Sequence, residues 1–277
     1  MAPAHVGAVS LGFQWIDNTG HRLDDGNLDR IFPGESWDAA IALAVEYAFT
    51  DRLSIELGLP YVFAKYRGRG PTPGVFLPVD SCRCWHGGFQ DFRFVARYNA
   101  VGDLGGAFAL TPSVAVATPS HHYAYRGEAV LGRDLDEIAL AVDAGLRVDA
   151  ISPRLSLEGR YSYAFVERVL DISTNRSNVA GEVAYQLTRR LGARGMVAWQ
   201  WTHGGLRVPQ DITAENFPEH DRLLQDNHFR ASVGLSYQLT HLDLYASYVD
   251  FVSGANTHEG RAFTVGVSWP FELGRRP

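Results

Sequence analysis

This chain of 277 residues has few cysteines, no excess of positive charge and no long apolar runs. The two cysteines, Cys82 and Cys84, are too few for a disulfide framework. The net charge of −6 argues against a nucleic-acid groove, so we expect no nucleic-acid partner. The longest uncharged stretch, residues 104–125, contains Pro112 and Pro119 and does not qualify as a membrane-spanning helix.

A secretory leader and helix-favouring composition are also lacking. The first four residues, Met-Ala-Pro-Ala, supply neither a basic nor an apolar leader region, so we expect that any signal peptide has been removed. Long helices tolerate the 28 glycines and 13 prolines poorly, because these are spread over the whole length. The hydrophobic fraction of 46% is nevertheless too high for a disordered chain.

The dominant pattern is an alternation of apolar and polar residues with a period of two, which is typical of strands with one apolar face. In residues 37–49 the odd positions are apolar or aromatic, from Trp37 to Phe49, while the even positions are acidic residues or alanine. The pattern predicts twelve strands, at 9–15, 37–49, 53–63, 92–98, 108–116, 138–148, 155–165, 179–187, 197–201, 229–239, 242–248 and 263–271.

The predicted connections alternate between short and long. The short ones are residues 50–52, 99–106, 149–153, 188–190 and 240–241, and the long ones are 17–36, 65–88, 119–134, 166–177, 203–227 and 252–261. An even strand number with this alternation is the plan of outer-membrane barrels. The sequence therefore predicts one domain over residues 1–277, a closed twelve-stranded antiparallel transmembrane β-barrel with short periplasmic turns, long extracellular loops and both termini on the short-turn side. We expect bulges at Pro60 and Pro112, which interrupt strand patterns.

Three segments resemble a known family: Leu53-Ser-Ile-Glu-Leu-Gly-Leu-Pro-Tyr61, Gly88-Phe-Gln-Asp-Phe-Arg-Phe-Val-Ala-Arg-Tyr98 and Phe263-Thr-Val-Gly-Val-Ser-Trp269. They are similar to the outer-membrane transporter family named after the MetA pathway of phenol degradation. The resemblance implies a passive channel for aromatic or other small hydrophobic solutes, without catalytic residues. The chain departs from such barrels after Phe271, where Glu-Leu-Gly-Arg-Arg-Pro follows in place of a terminal aromatic residue.

The polar faces of the predicted strands carry charges that should point into the lumen, where they would line the solute path, hold the barrel together, or do both. The inward acids are Asp38, Glu46, Glu56, Asp91, Glu137, Asp143, Glu158 and Glu182, and the inward bases are Arg93, Arg97, Arg147, Arg160, Arg194 and Arg230.

Two tight turns allow the register of these charges to be predicted. A turn at 50–52 places Glu46 directly opposite Glu56, and one register of the turn at 149–153 places Asp143 opposite Arg160. Facing carboxylates repel unless a cation lies between them. We expect Arg93 and Arg97, on the next strand, to supply it and to join the two glutamates in one cluster.

Metal sites are the weaker alternatives. Cys82, Cys84 and His86 fall in a long loop and could bind a soft metal together with His121 and His122, but the two cysteines could equally form a local disulfide or remain free thiols. Residues 25–29 place oxygen ligands at alternate positions, as calcium loops do, without the rest of an EF-hand. We therefore expect no bound metal and no cofactor.

An outer-membrane hydrolase is the rival from another class, and it would need a Ser–His pair at the barrel wall. His228 lies near the wall interior without a serine motif beside it, so we expect no enzymatic activity. The sequence favours a passive channel in the bacterial outer membrane for small, mostly uncharged or amphipathic solutes. Its expected partners are the lipid bilayer with lipopolysaccharide and the solute itself. The alternative is a structural or partner-anchoring barrel with a sealed lumen.

Overall fold

The computed structural model describes residues 3–28, 34–68, 84–102, 106–123, 131–213, 215–216 and 219–273. Its strands are β1 Val6–Arg22, β2 Gly34–Ala48, β3 Leu53–Gly68, β4 in two segments His86–Phe89 and Asp91–Tyr98, β5 Phe108–Pro119, β6 Glu137–Arg147, β7 Leu155–Val166, β8 Thr174–Gln186, β9 Leu191–Gly204, β10 Asn227–Gln238, β11 Asp243–Ala255 and β12 Thr257–Glu272. A four-residue helix, α1 His220–Leu223, precedes β10. No helix among these residues has the length and apolar content to cross a membrane.

The strands form one closed antiparallel barrel. Each strand pairs with its neighbours in sequence, and β1 pairs with both β2 and β12, from Val6 opposite Glu272 to Arg22 opposite Thr257. The predicted twelve-stranded barrel is therefore confirmed. Both described ends of the chain lie on the short-turn side, as predicted, where His5 donates a backbone hydrogen bond to Ala48.

Both prolines lie opposite an irregularity of β4. Opposite Pro60, β4 is interrupted at Gln90, whose backbone N–H donates to the Pro60 carbonyl, so the bulge predicted there is confirmed.

Pro112 leaves one of its two neighbours undisturbed, because the β5–β6 ladder runs without a shift through the pair Pro112–Val142. On the β4 side the register changes by one residue. Arg97 lies opposite Ser113, whereas Val101 lies opposite Leu110, so the bulge predicted there is confirmed on that side.

The short connections fall where they were predicted, whereas one long loop is absent. Residues 252–261 were expected to form a loop, but β11 continues to Ala255 and β12 begins at Thr257, which leaves Asn256 as the connection. Asn256 adopts a φ of 50°, a left-handed conformation that asparagine tolerates better than most residues. It is fully buried, and its Oδ1 accepts a hydrogen bond from the Val208 backbone N–H.

The two faces of the wall differ as the alternation predicted. Outward apolar side chains such as Leu43 and Val183 are 48% and 51% exposed. Exposed apolar side chains on the outer face are typical of a surface that contacts lipid. The inward face is narrowed on one side by Tyr245, whose ring lies against Gly12 on β1 and Gly266 on β12. A side chain at either glycine would collide with this ring, so the glycines make room for it.

Candidate functional site

The half of the lumen nearer the short turns contains a cavity of about 590 Å³. Its wall combines small residues, among them Ala109, Gly145 and Ala180, with charged side chains from five strands. The charged lining residues are Glu46, Arg97, Asp143, Glu158, Arg160 and Glu182.

The first lining group joins β2, β3 and β4. Glu46 lies directly opposite Glu56 in the β2–β3 ladder, so the register predicted from the tight turn is confirmed. Arg97 lies between the two carboxylates, with Nη2 at 2.7 Å from Glu56 and Nη1 at 3.6 Å from Glu46. The Ser54 hydroxyl also donates to Glu46, at 3.0 Å. Arg93 is exposed and makes no ion pair with any described residue, so the cluster contains Arg97 alone as its cation.

The second lining group is a cross-strand pair. Asp143 on β6 faces Arg160 on β7, the register that was predicted. Arg160 Nη1 donates to both carboxylate oxygens, at 2.8 and 3.0 Å. This arginine is therefore committed to its own carboxylate and not to a solute.

The third lining group has an excess of negative charge. Glu158 on β7 lies opposite Glu182 on β8, so two carboxylates face each other. Arg194 approaches Glu182 only at 3.8 Å, and Glu158 makes no ion pair with any described residue. Unlike Glu46 and Glu56, these acids have no arginine between them.

The other predicted lumenal charges lie away from the cavity. Asp38 accepts from Asn18 at 3.0 Å, Asp91 accepts from the Tyr123 hydroxyl at 2.5 Å, and Glu137 pairs with Arg176. These three lie towards the long-loop end. Arg147 lies at the opposite end and pairs with Asp149 in a short turn at 2.7 Å, outside the middle of the lumen. Arg230 lies on the inward face, and its buried Nε has no hydrogen-bond partner among the described residues.

The described residues between β9 and β10 (205–213, 215–216 and 219–226) fold over the long-loop end of the lumen; we call them the cap. Leu206 exchanges backbone hydrogen bonds with Leu223 and Gln225, and the side chains of Leu206, Leu223 and Leu224 are buried. At its base Asp226 contacts Arg133, from the loop before β6, at 2.6 Å. Because that loop is attached four strands away, this contact spans the mouth of the barrel.

Asp226 is the centre of the cap's polar contacts. It accepts hydrogen bonds from Gln200 Nε2 at 3.1 Å and bonds His228 Nδ1 at 3.0 Å, besides the ion pair with Arg133. Burial by itself raises the pKa of this carboxyl, but the bonds from His228 and the charge of Arg133 outweigh it and hold the pKa of Asp226 well below its usual range. The carboxylate is therefore charged and fully bonded.

Four residues of these contacts were not predicted, because they lie in or beside segments that were interpreted as loops: Arg133, Asp226, Arg176 and Tyr123. Burial and the hydrogen bond to Asp91 both raise the pKa of Tyr123, which keeps its hydroxyl a donor. An earlier signal was available only for Arg176, which continues the inward even-numbered alternation of the following residues of β8.

The cysteine region does not offer a thiolate pair. Cys84 is disulfide-bonded, and the only other cysteine, Cys82, lies outside the described residues. Cys84 Sγ lies 4.0 Å from His86 Nε2. Across the described part of the chain no group of three or more histidine, cysteine or acidic residues is arranged to hold a metal. Of the proposed calcium loop, Asp25 accepts from the Asn27 backbone at 2.9 Å, and Asp29 lies outside the described residues.

One Ser–His contact was not foreseen. Ser177 Oγ lies 2.8 Å from His203 Nε2 on the outer wall, where His203 stacks on Tyr163. Within the described residues no carboxylate bonds the other ring nitrogen of His203, so the third member of a hydrolytic triad is lacking there. His228, the histidine considered from sequence, bonds Asp226 instead.

Comparison with known proteins bears on the fold. No family profile and no curated protein matches the sequence. Among solved structures, the COG4313 outer membrane channel from Pseudomonas putida F1 superimposes with a TM-score of 0.72 at 11% identity, over 98% of this chain and 97% of that one. The NanC porin gives 0.53 at 11% identity over 95% and 98%, and the β domain of the Bordetella autotransporter BrkA gives 0.54 at 12% over 96% and 100%. The chain thus has the fold of outer-membrane β-barrels.

Proposed function

We propose that this protein is a passive channel in the bacterial outer membrane for small solutes. The observation that carries the proposal is the cavity of about 590 Å³ within a closed barrel, walled by charged and small side chains. A barrel that served only as an anchor would gain stability from apolar filling at this place. The likeness of fold to an outer membrane channel supports the same interpretation.

The lining favours small solutes without strong charge. Twelve strands enclose less space than the roughly 16 to 18 of general porins. The ion pairs of Arg97 with Glu56 and of Arg160 with Asp143 occupy part of this space with charges that neutralise each other, so they offer no strong binding site to a large charged solute. The resemblance of three segments to the phenol-degradation transporter family adds aromatic and other small hydrophobic compounds as the solute class to test first.

The cap supports the second candidate, a structural or partner-anchoring barrel with a sealed lumen. Its leucines are buried, and the Arg133–Asp226 contact crosses the long-loop end, which is the extracellular side in this proposal. A channel with this cap conducts through a narrow opening, or conducts when the cap moves, whereas a sealed barrel does neither.

Planar-bilayer recordings of the purified protein separate the two candidates. We expect small discrete conductance steps, together with swelling of liposomes in phenol and small neutral solutes that exceeds swelling in large sugars. Absence of both conductance and swelling, in protein shown to be folded by its circular dichroism, would overturn the channel and favour the sealed barrel.

A further inference from the structure

The charges around the lumenal cavity do not balance. Its wall contains four carboxylates and two guanidinium groups: Glu46, Asp143, Glu158 and Glu182 against Arg97 and Arg160. Glu56, which bonds Arg97, and Arg194, which lies 3.8 Å from Glu182, add one charge of each sign. The acids keep an excess of two in both counts.

The arginines are already neutralised by neighbours. Arg97 is shared by Glu46 and Glu56, and Arg160 donates twice to Asp143. An anion entering the cavity would have to compete with the carboxylates of Glu56 and Asp143, which are held at hydrogen-bond distance. The guanidinium groups therefore contribute little free positive potential to the solute path.

The unbalanced negative charge is concentrated on β7 and β8. Glu158 and Glu182 are direct cross-strand partners, so their side chains leave the wall side by side. Arg194, at 3.8 Å from Glu182 with 40% of its side chain exposed, is too distant for a hydrogen bond and leaves Glu158 uncompensated.

Two further inward cations, Arg93 and Arg230, lie near this part of the wall without lining the cavity. Arg93 pairs in register with Gly58, two positions further from the short turn than Glu56, and including it still leaves five carboxylates against four arginines. Arg230 lies opposite Ala198 on β9, and the carboxylate that acts on it is Asp226 at the base of the cap. The cavity itself is thus the negative section of the lumen, and Arg93 lies on its long-loop side.

We infer that Glu158 and Glu182 make the channel prefer small cations, such as K⁺ and organic ammonium ions, over anions of similar size. This inference rests on the proposed channel function and adds a charge preference to it. Direct cross-strand partners lie about 5 Å apart, which is less than the Debye length of roughly 8 Å in physiological salt. Mobile ions therefore screen the charges of Glu158 and Glu182 weakly from an ion that passes beside them. Low-dielectric walls also concentrate the field of like charges on the path.

The test is the reversal potential of the channel in a KCl gradient across a planar bilayer. The expected sign is that of K⁺ preference, and methylammonium chloride should give the same sign. The double variant Glu158→Gln with Glu182→Gln should move the reversal potential towards zero, while Glu215→Gln, which removes an exposed acid from the loop before β10, should not. Arg93→Gln should leave K⁺ preference intact or increase it.

The outcomes separate this inference from the proposed function. Conductance with a zero or Cl⁻-preferring reversal potential would overturn the charge preference while the channel stands. Conductance with K⁺ preference that the double variant retains would assign the preference to other residues and overturn the role of Glu158 and Glu182. Absence of conductance in folded wild-type protein would overturn the channel itself, and the inference with it. Folding of each variant is checked by the slower gel migration that a barrel shows after heating.

Discussion

The side chains of Arg133 and Asp226 meet at 2.6 Å although 93 positions separate the two residues in the sequence. The pair connects the loop before β6 to the residue before β10. It ties the cap to the far side of the mouth, beside a second contact in which Arg222 of the cap donates to the Asp134 carbonyl at 3.2 Å. Replacing Arg133 therefore tests whether the cap limits conduction, without altering the lining of the cavity.

Arg133→Gln should loosen the cap, because it leaves the buried Asp226 with His228 and Gln200 but without its full positive partner. We expect larger or more frequent conductance steps and faster protease cleavage within residues 205–226. Arg207→Gln is the matched control, since that arginine pairs with Asp211 at 2.8 Å within the cap's own exposed turn. Equal effects of the two substitutions would show that the contact across the mouth holds the cap no more firmly than an exposed ion pair does.

The cap should open only at low pH. The pKa of Asp226 is lowered in the folded protein, so its contribution to stability is complete above the ordinary aspartate value of about 4 and is lost only as pH falls below that value. We expect protease protection of the cap to be constant from about pH 7 to 5 and to decline below about pH 4. Asp226→Asn should lower protection already at neutral pH and remove this acid dependence. A wild-type cap that opened near pH 6 would contradict the assignment.

The assignment of the two wall faces predicts unequal effects of one charge. Leu43→Arg or Val183→Arg should cost about 2–4 kcal/mol where the site lies near the bilayer midplane, because the charge would face lipid. Ala44→Arg and Ala184→Arg, one position away and facing inward, should cost less. The measurement is the free energy of unfolding in denaturant from lipid vesicles, and equal losses on both faces would falsify the assignment.

Arg97 should contribute more to stability than Arg93. Without Arg97, Glu46 and Glu56 face each other with no cation between them, and we expect Arg97→Gln to cost about 1–3 kcal/mol. Adding Glu56→Gln should recover part of that loss, because it removes the repulsion. Arg93→Gln, which breaks no described ion pair, should be nearly neutral. The same unfolding measurement decides, and a larger loss for Arg93 than for Arg97 would refute the cluster.

The wall of the barrel was predictable from the sequence because the features that determine it are local ones. A strict period of two fixes which face each residue occupies, and a tight turn fixes which residues oppose each other. Glu46 with Glu56 and Asp143 with Arg160 follow from these two rules alone.

The mouth of the barrel was not predictable in the same way. Arg133 meets Asp226 through the path of two loops, and no periodicity encodes such a path. The continuation of β11 to Ala255 was missed for another reason: the pairing of β11 with β10 shifts by one residue at Val252, and this bulge interrupts the alternation on which the prediction depended. Arg93 lies two residues further along β4 than the position opposite Glu56. The alternation predicts that Arg93 faces inward, but it does not predict how far along the strand its partners lie.

The ring of Tyr245, which lies against Gly12 and Gly266, makes the bore of the barrel eccentric. It occupies the side formed by β11, β12 and β1, whereas the cavity lies along β2 and β4 to β9. A solute moving through the lumen consequently follows one wall and not the axis, and it passes the carboxylates of β7 and β8 at close range. Shortening this single aromatic side chain would centre the path and enlarge it, whereas shortening a residue on the opposite wall would only deepen the existing asymmetry.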